Sequence, residues 1–111
     1  MTMLAKLRAL LMLAAGFLWD LVAASVQVAG IVLAPRIRTT PAILIVPVHV
    51  RRPWAVALFA WFTSVTPGST CLHVSDDRRR LYVHVLDARD PARTIARFER
   101  VYERWIGVLV R

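Results

Sequence analysis

Apolar side chains fall along this chain in three rhythms. From Ala9 to Ala34 (ALLMLAAGFLWDLVAASVQVAGIVLA) they run almost unbroken, with Asp20 the single charge and Ser25 and Gln27 the other polar side chains. A run of that length predicts a helix able to cross a bilayer with tilt. Ala42 to Val50 (AILIVPVHV) is short and rich in β-branched residues, which predicts a strand that Pro47 confines to an edge or a bulge. Pro53 then opens a helix on which Trp54, Leu58, Trp61 and Val65 recur at helical spacing as a buried stripe, ended by Thr66-Pro67-Gly68. Thr70 to Ser75 and Leu81 to Asp87 alternate with period two around Asp76-Asp77-Arg78-Arg79-Arg80, the pattern of a hairpin with a solvated loop. Last, Asp90-Pro91 caps a helix whose stripe is Ile95, Phe98, Tyr102, Trp105 and Leu109.

These elements predict a membrane protein, an N-terminal transmembrane helix followed by a small α+β domain in the order strand-helix-strand-strand-helix. Residues 1–34 form the membrane segment, 35–41 a basic linker and 42–111 the α+β domain. Lys6 and Arg8 precede the apolar run, whereas Arg36, Arg38, Arg51 and Arg52 follow it with no acidic residue among them. That asymmetry places the C-terminal domain in the cytoplasm, with the chain in the cell membrane. A cleaved leader ending at Val22-Ala23-Ala24 is the rival reading, but the apolar stretch continues well past such a site.

Composition sharpens the choice of partner. A 111-residue chain that is 58% hydrophobic also carries 15 Lys+Arg against 7 Asp+Glu, a net charge of +8. Apolar excess with cationic excess suits an anionic lipid surface, and the long apolar opening argues against nucleic acid. Cys71 is the only cysteine, so no internal disulfide forms and a reducing compartment fits.

Within the apolar run, Gly16, Asp20, Ala23, Gln27, Gly30 and Ala34 repeat at spacings of four and three and define one seam of small and polar residues. Small residues admit a second helix, and Asp20 and Gln27 need hydrogen bonds that lipid cannot supply, so the seam predicts a partner helix. Catalytic chemistry is not signalled. No nucleophile elbow, phosphate loop or dinucleotide fingerprint occurs, and no cofactor is implied. His49, His73 and His84 each stand between apolar strand residues. Cys71 and His73 would share a face, and a hairpin loop from Asp77 to Arg80 would set His73 opposite His84, whereas one more loop residue would separate them. No CxxC or HxxxH spacing supports a metal, so none is expected.

Thr66-Pro67-Gly68-Ser69, followed by Leu81-Tyr82-Val83-His84-Val85-Leu86-Asp87, resembles the E component of the Mrp-type multisubunit sodium/proton antiporters (MrpE/MnhE). Leu18-Trp19-Asp20-Leu21, Gln27-Val28-Ala29, Val32-Leu33 and Phe98-Glu99-Arg100 extend the likeness over nearly the whole chain. The resemblance implies an accessory subunit of a cation/proton antiporter, not an enzyme, with the other antiporter subunits and membrane lipid as partners. It supplies no site residues for this component. The alternative, from charge and hydropathy alone, is a free-standing basic protein bound at the membrane surface.

Overall fold

A computed structural model describes residues 2–36 and 39–110; Ile37 and Arg38 of the basic linker, and the terminal Met1 and Arg111, lie outside the described residues. The apolar run forms α1, Met3–Leu33, which begins earlier than the hydropathy alone suggests because Thr2 caps it, its Oγ1 accepting from Ala5 N at 3.2 Å. Pro35 stands just beyond its end, where continuation of the helix is blocked.

The elements after the linker come in the expected order: β1 (Ala42–Pro47), α2 (Pro53–Val65), β2 (Ser69–Val74), β3 (Arg80–Val85) and α3 (Pro91–Phe98). A π-helical turn, Glu99–Glu103, continues α3 into α4 (Arg104–Val110). The sheet order is β1-β3-β2 with both pairings antiparallel, so β1 and β2 flank β3 in parallel with α2 as the crossover, a split β-α-β arrangement. Pro47 sits at the end of β1, on an edge strand where its missing N–H costs least.

One sheet face is closed by helices. Leu44, Val46, Leu81, Val83 and Val85 point into a core shared with Phe59, Phe62, Phe98, Tyr102 and Ile106. Removing each such side chain from water contributes about 1.5–3 kcal/mol. Two stripes differ from the sequence expectation. On α2 the buried row is Ala55, Val56, Phe59, Phe62 and Thr63, while Trp54 and Trp61 are about half exposed. In a helix apolar on almost every side, periodicity cannot choose between neighbouring faces. Along the last helix, Ile106 rather than Trp105 enters the core, because the π-turn inserts one residue and rotates everything after it.

The hairpin also departs from expectation. Its register shifts between Cys71 and His73, so Leu72 bulges, His73 faces Tyr82 and His84 faces Thr70. Cys71 packs towards the core while the His73 ring lies 5.7 Å from that of Tyr82, so the two do not share a face as simple alternation implies. His73 and His84 are not paired, and the Cys71–His73–His84 cluster is not assembled.

Candidate functional site

The domain is fastened along α1 rather than hung from its end. The α3–α4 segment runs antiparallel beside α1: Trp105 lies beneath the Arg8 guanidinium at 5.8 Å, and Val101 lies against Gly16. A Cβ at Gly16 would stand 2.9 Å from Val101 Cγ1, so glycine is what permits this approach. On α2, Phe62 and Trp61 meet Phe17 at centroid distances of 5.8 and 6.2 Å.

Asp20 sits at the centre of this contact and is 4% exposed. Tyr102 donates its hydroxyl to Asp20 Oδ2 at 2.7 Å, and Arg97 Nη1 stands 3.4 Å from Oδ1. Thr66 Oγ1 lies 3.1 Å from the same tyrosine hydroxyl and donates to Phe62 O at 2.8 Å. Burial, reinforced by the Asp20 carboxylate and opposed by the Thr66 contact, pushes the Tyr102 hydroxyl far above the ordinary phenol range, so it remains a proton donor. Phe62 stacks on the Tyr102 ring at 4.8 Å and fixes its direction. The carboxylate is thus satisfied by its own chain.

The Thr66-Pro67-Gly68-Ser69 turn has a physical role in this arrangement. Thr66 reaches Tyr102, Gly68 takes φ +86, a conformation costly for a side-chain-bearing residue, and Ser69 Oγ donates to Thr63 O at 2.6 Å. The turn also carries β3, through Leu86 N donating to Gly68 O at 2.8 Å. A cavity of about 70 Å³ beside it is lined by Gln27, Gly68, Asp87 and Arg97, and Arg97 Nε is buried without a hydrogen-bond partner.

The same π-turn makes a second polar contact. Glu103 is 5% exposed, and its Oε2 accepts from His49 N at 2.6 Å and Val50 N at 3.3 Å while Oε1 meets His49 Nδ1 at 2.9 Å. Hydrogen bonding to Glu103, partly opposed by desolvation and aided by the Glu103 and Glu99 charges, raises the His49 pKa above 6.5. Glu99 completes a group in which one ligand atom from each of the three residues lies within 4.8 Å of the others. Both Glu103 oxygens are already engaged, which makes this a latch on the β1–α2 junction.

The six seam residues are therefore divided. Gly16 and Asp20 face the chain's own last helix, whereas Ala23, Gln27 and Gly30 are exposed and nothing lies within 4 Å of a Cβ built on Gly30; Ala34 is half-buried at the helix end. Periodicity identifies a packed face but not its occupant. Arg97 and Glu103 escape a reading of the sequence, and Tyr102 enters it only as part of the buried stripe of the last helix. For Tyr102 and Arg97 the signal is a buried carboxylate in an apolar helix needing a donor, which names no particular residue in the distant last helix.

An apolar helix of bilayer length is fastened along a small α+β domain by a buried carboxylate, and α1 is one candidate transmembrane helix by length and composition. The chain belongs to the family described as Na+/H+ ion antiporter subunit, which it matches over residues 1–108. It is 31% identical over 101 residues to the E-type Na(+)/H(+) antiporter subunit of Alkalihalophilus pseudofirmus, covering 91% of this chain and 64% of that protein. To the E-type antiporter subunit of Bacillus subtilis it is 29% identical over 106 residues, covering 96% and 67%. The E1-type antiporter subunit of Staphylococcus epidermidis is 33% identical over 84 residues, covering 76% of this chain and 53% of that one. The chain thus spans about half to two thirds of the length of these relatives. Its fold matches a chain in a solved Mrp complex from a Dietzia species, with a TM-score of 0.64, 21% identity and coverage of 86% and 90%. The family is one of transporter components.

Proposed function

We propose that this chain acts as an accessory subunit of a multisubunit sodium/proton antiporter, contributing to assembly and stability of the membrane complex. The α+β domain, residues 42–111, faces the cytoplasm behind the basic linker of residues 35–41, and the chain carries out no chemistry of its own. One observation carries this reading: the single charge of the apolar run, Asp20, is committed to Tyr102 and Arg97 within the chain. A carboxylate held by two donors serves packing better than proton relay. The exposed half of the seam, Ala23, Gln27 and Gly30, is then offered to a helix of another subunit. The three histidines hold no metal, since among the described residues the cluster containing a histidine has its buried carboxylate already bonded. Purifying the tagged chain from its native membrane tests the proposal. Other antiporter subunits should co-purify and be lost on deletion of the chain. Recovery of a stable chain alone, with transport intact after deletion, would instead favour a free-standing membrane-surface protein.

A further inference from the structure

Length and composition qualify α1 to cross a bilayer, but they do not account for what is packed beside it. Domain residues flank the helix from Ala5, next to Trp105 and Val108, to Ile31, next to Pro67 and Gly68. At 1.5 Å per residue that is about 39 Å of helix, more than the roughly 30 Å of hydrocarbon in a bilayer. Were α1 to stand across the membrane in this arrangement, Arg93, Arg97, Glu99, Arg100, Glu103 and Arg104 of the adjoining segment would be carried to membrane depth. Charges at that depth are costly even when snorkelling relieves them.

The opposite side of α1 is built differently. Leu4, Leu11, Leu18, Val22, Val26 and Leu33 form one outward row, each more than half exposed, and no acidic side chain interrupts it because Asp20 is turned inward. Arg8, Arg36, Arg100 and Arg104 are exposed cations around the helix, and Trp19 is 76% exposed on it. An apolar strip edged by arginines and an interfacial tryptophan, with polar mass on the other side, is the anatomy of a helix lying in a membrane surface. The domain takes the place of the polar face that such a helix ordinarily supplies from its own sequence.

We infer that α1, clasped to its domain, lies along the membrane face with the Leu4–Leu33 row in the acyl boundary of anionic lipid, rather than through the bilayer. The cationic rim answers the negative surface potential of such lipid. Ala23 and Gly30, on the flank of the helix, stay open to a neighbouring subunit. The inference needs only that the chain resides at a membrane, so co-purification of other subunits stands or falls separately.

The test uses the full chain in its native membrane with Cys71→Ser as background. Single cysteines, Thr2→Cys and Arg36→Cys, are exposed to a membrane-impermeant thiol reagent in right-side-out and inverted vesicles. Both should react from one and the same side, the side from which Leu72→Cys reacts. Reaction from opposite sides, or protection of either end on that side, overturns the inference. A nitroxide at Leu18→Cys identifies the occupant: it should collide with oxygen dissolved in the lipid, at a shallow depth. Shielding of that label from oxygen would assign the row to a protein partner and overturn the lipid assignment.

Discussion

Tyr102 donates to Asp20 over 2.7 Å, joining the last helix of the domain to the middle of the apolar helix. Both groups are buried, so without this bond Tyr102 keeps only its contact with Thr66 and Asp20 only its pairing with Arg97. A bond to a charged group contributes about 1.5–3 kcal/mol, and Tyr102→Phe should lose stability in that range. Asp20→Asn keeps an acceptor oxygen and the volume, so it should cost less, and the complex should assemble and exchange ions almost normally. Denaturation of the purified chain, with exchange measured in vesicles, checks both. An assembled Asp20→Asn complex that has lost exchange would make Asp20 a proton carrier and refute the packing role.

Two glycines on one helix should answer differently to the same change. Gly16→Leu forces Val101 and the backbone behind it to move, so the chain itself should be destabilised, by about 1–3 kcal/mol. A Cβ at Gly30 has nothing within 4 Å among the described residues, so Gly30→Leu should leave the thermal unfolding unchanged. Reduced recovery of other subunits with Gly30→Leu, at normal chain stability, is the expected sign of a helix partner on that flank. Full recovery would remove the exposed half of the seam from any interface.

Sidedness is best read from Leu72, which the bulge leaves 56% exposed. The native thiol is a poor reporter because partial burial raises the Cys71 pKa and lowers its reactivity. In intact cells, Leu72→Cys on a Cys71→Ser background should resist an impermeant reagent and react after permeabilisation. Labelling before permeabilisation would place the domain outside.

Element order and the helix cap at Asp90 were legible because each depends on local chemistry, such as the bond from Arg93 N to Asp90 Oδ1. The bulge at Leu72 and the π-turn at Glu99–Glu103 were not. Each inserts one residue into a regular pattern, and no side chain at those positions demands it. Yet these insertions decide the functional geometry, separating Cys71 from His73 and setting Tyr102 and Glu103 to grip different elements. Asp20 was legible as a group in need of a partner. Whether that partner lay within the chain or in another subunit depended on tertiary packing that periodicity does not encode.

Glu103 provides the last prediction, because its two oxygens do separable jobs. Oε2 receives two backbone N–H groups, His49 and Val50, where β1 gives way to α2. Those donors are part-buried, and losing their charged acceptor costs about 1–3 kcal/mol. Glu103→Ala should therefore unfold at distinctly lower temperature, with faster amide exchange at residues 49 and 50. Oε1 pairs with an imidazole that is 68% exposed, and solvent screening limits that pair to a few tenths of a kcal/mol. His49→Ala spares the backbone bonds and should be nearly neutral. The pair also fixes a pH dependence: the raised His49 pKa means its contribution is complete below pH 6.5 and declines as pH rises through the folded-state value. A small loss of thermal stability over that interval should be present in the native chain and absent from His49→Ala. Adding zinc should move neither, because Oε1, the Glu103 oxygen not held by amides, is already paired with His49 Nδ1. A zinc-dependent rise in unfolding temperature that is abolished by both Glu99→Gln and His49→Ala would turn the latch into a metal site.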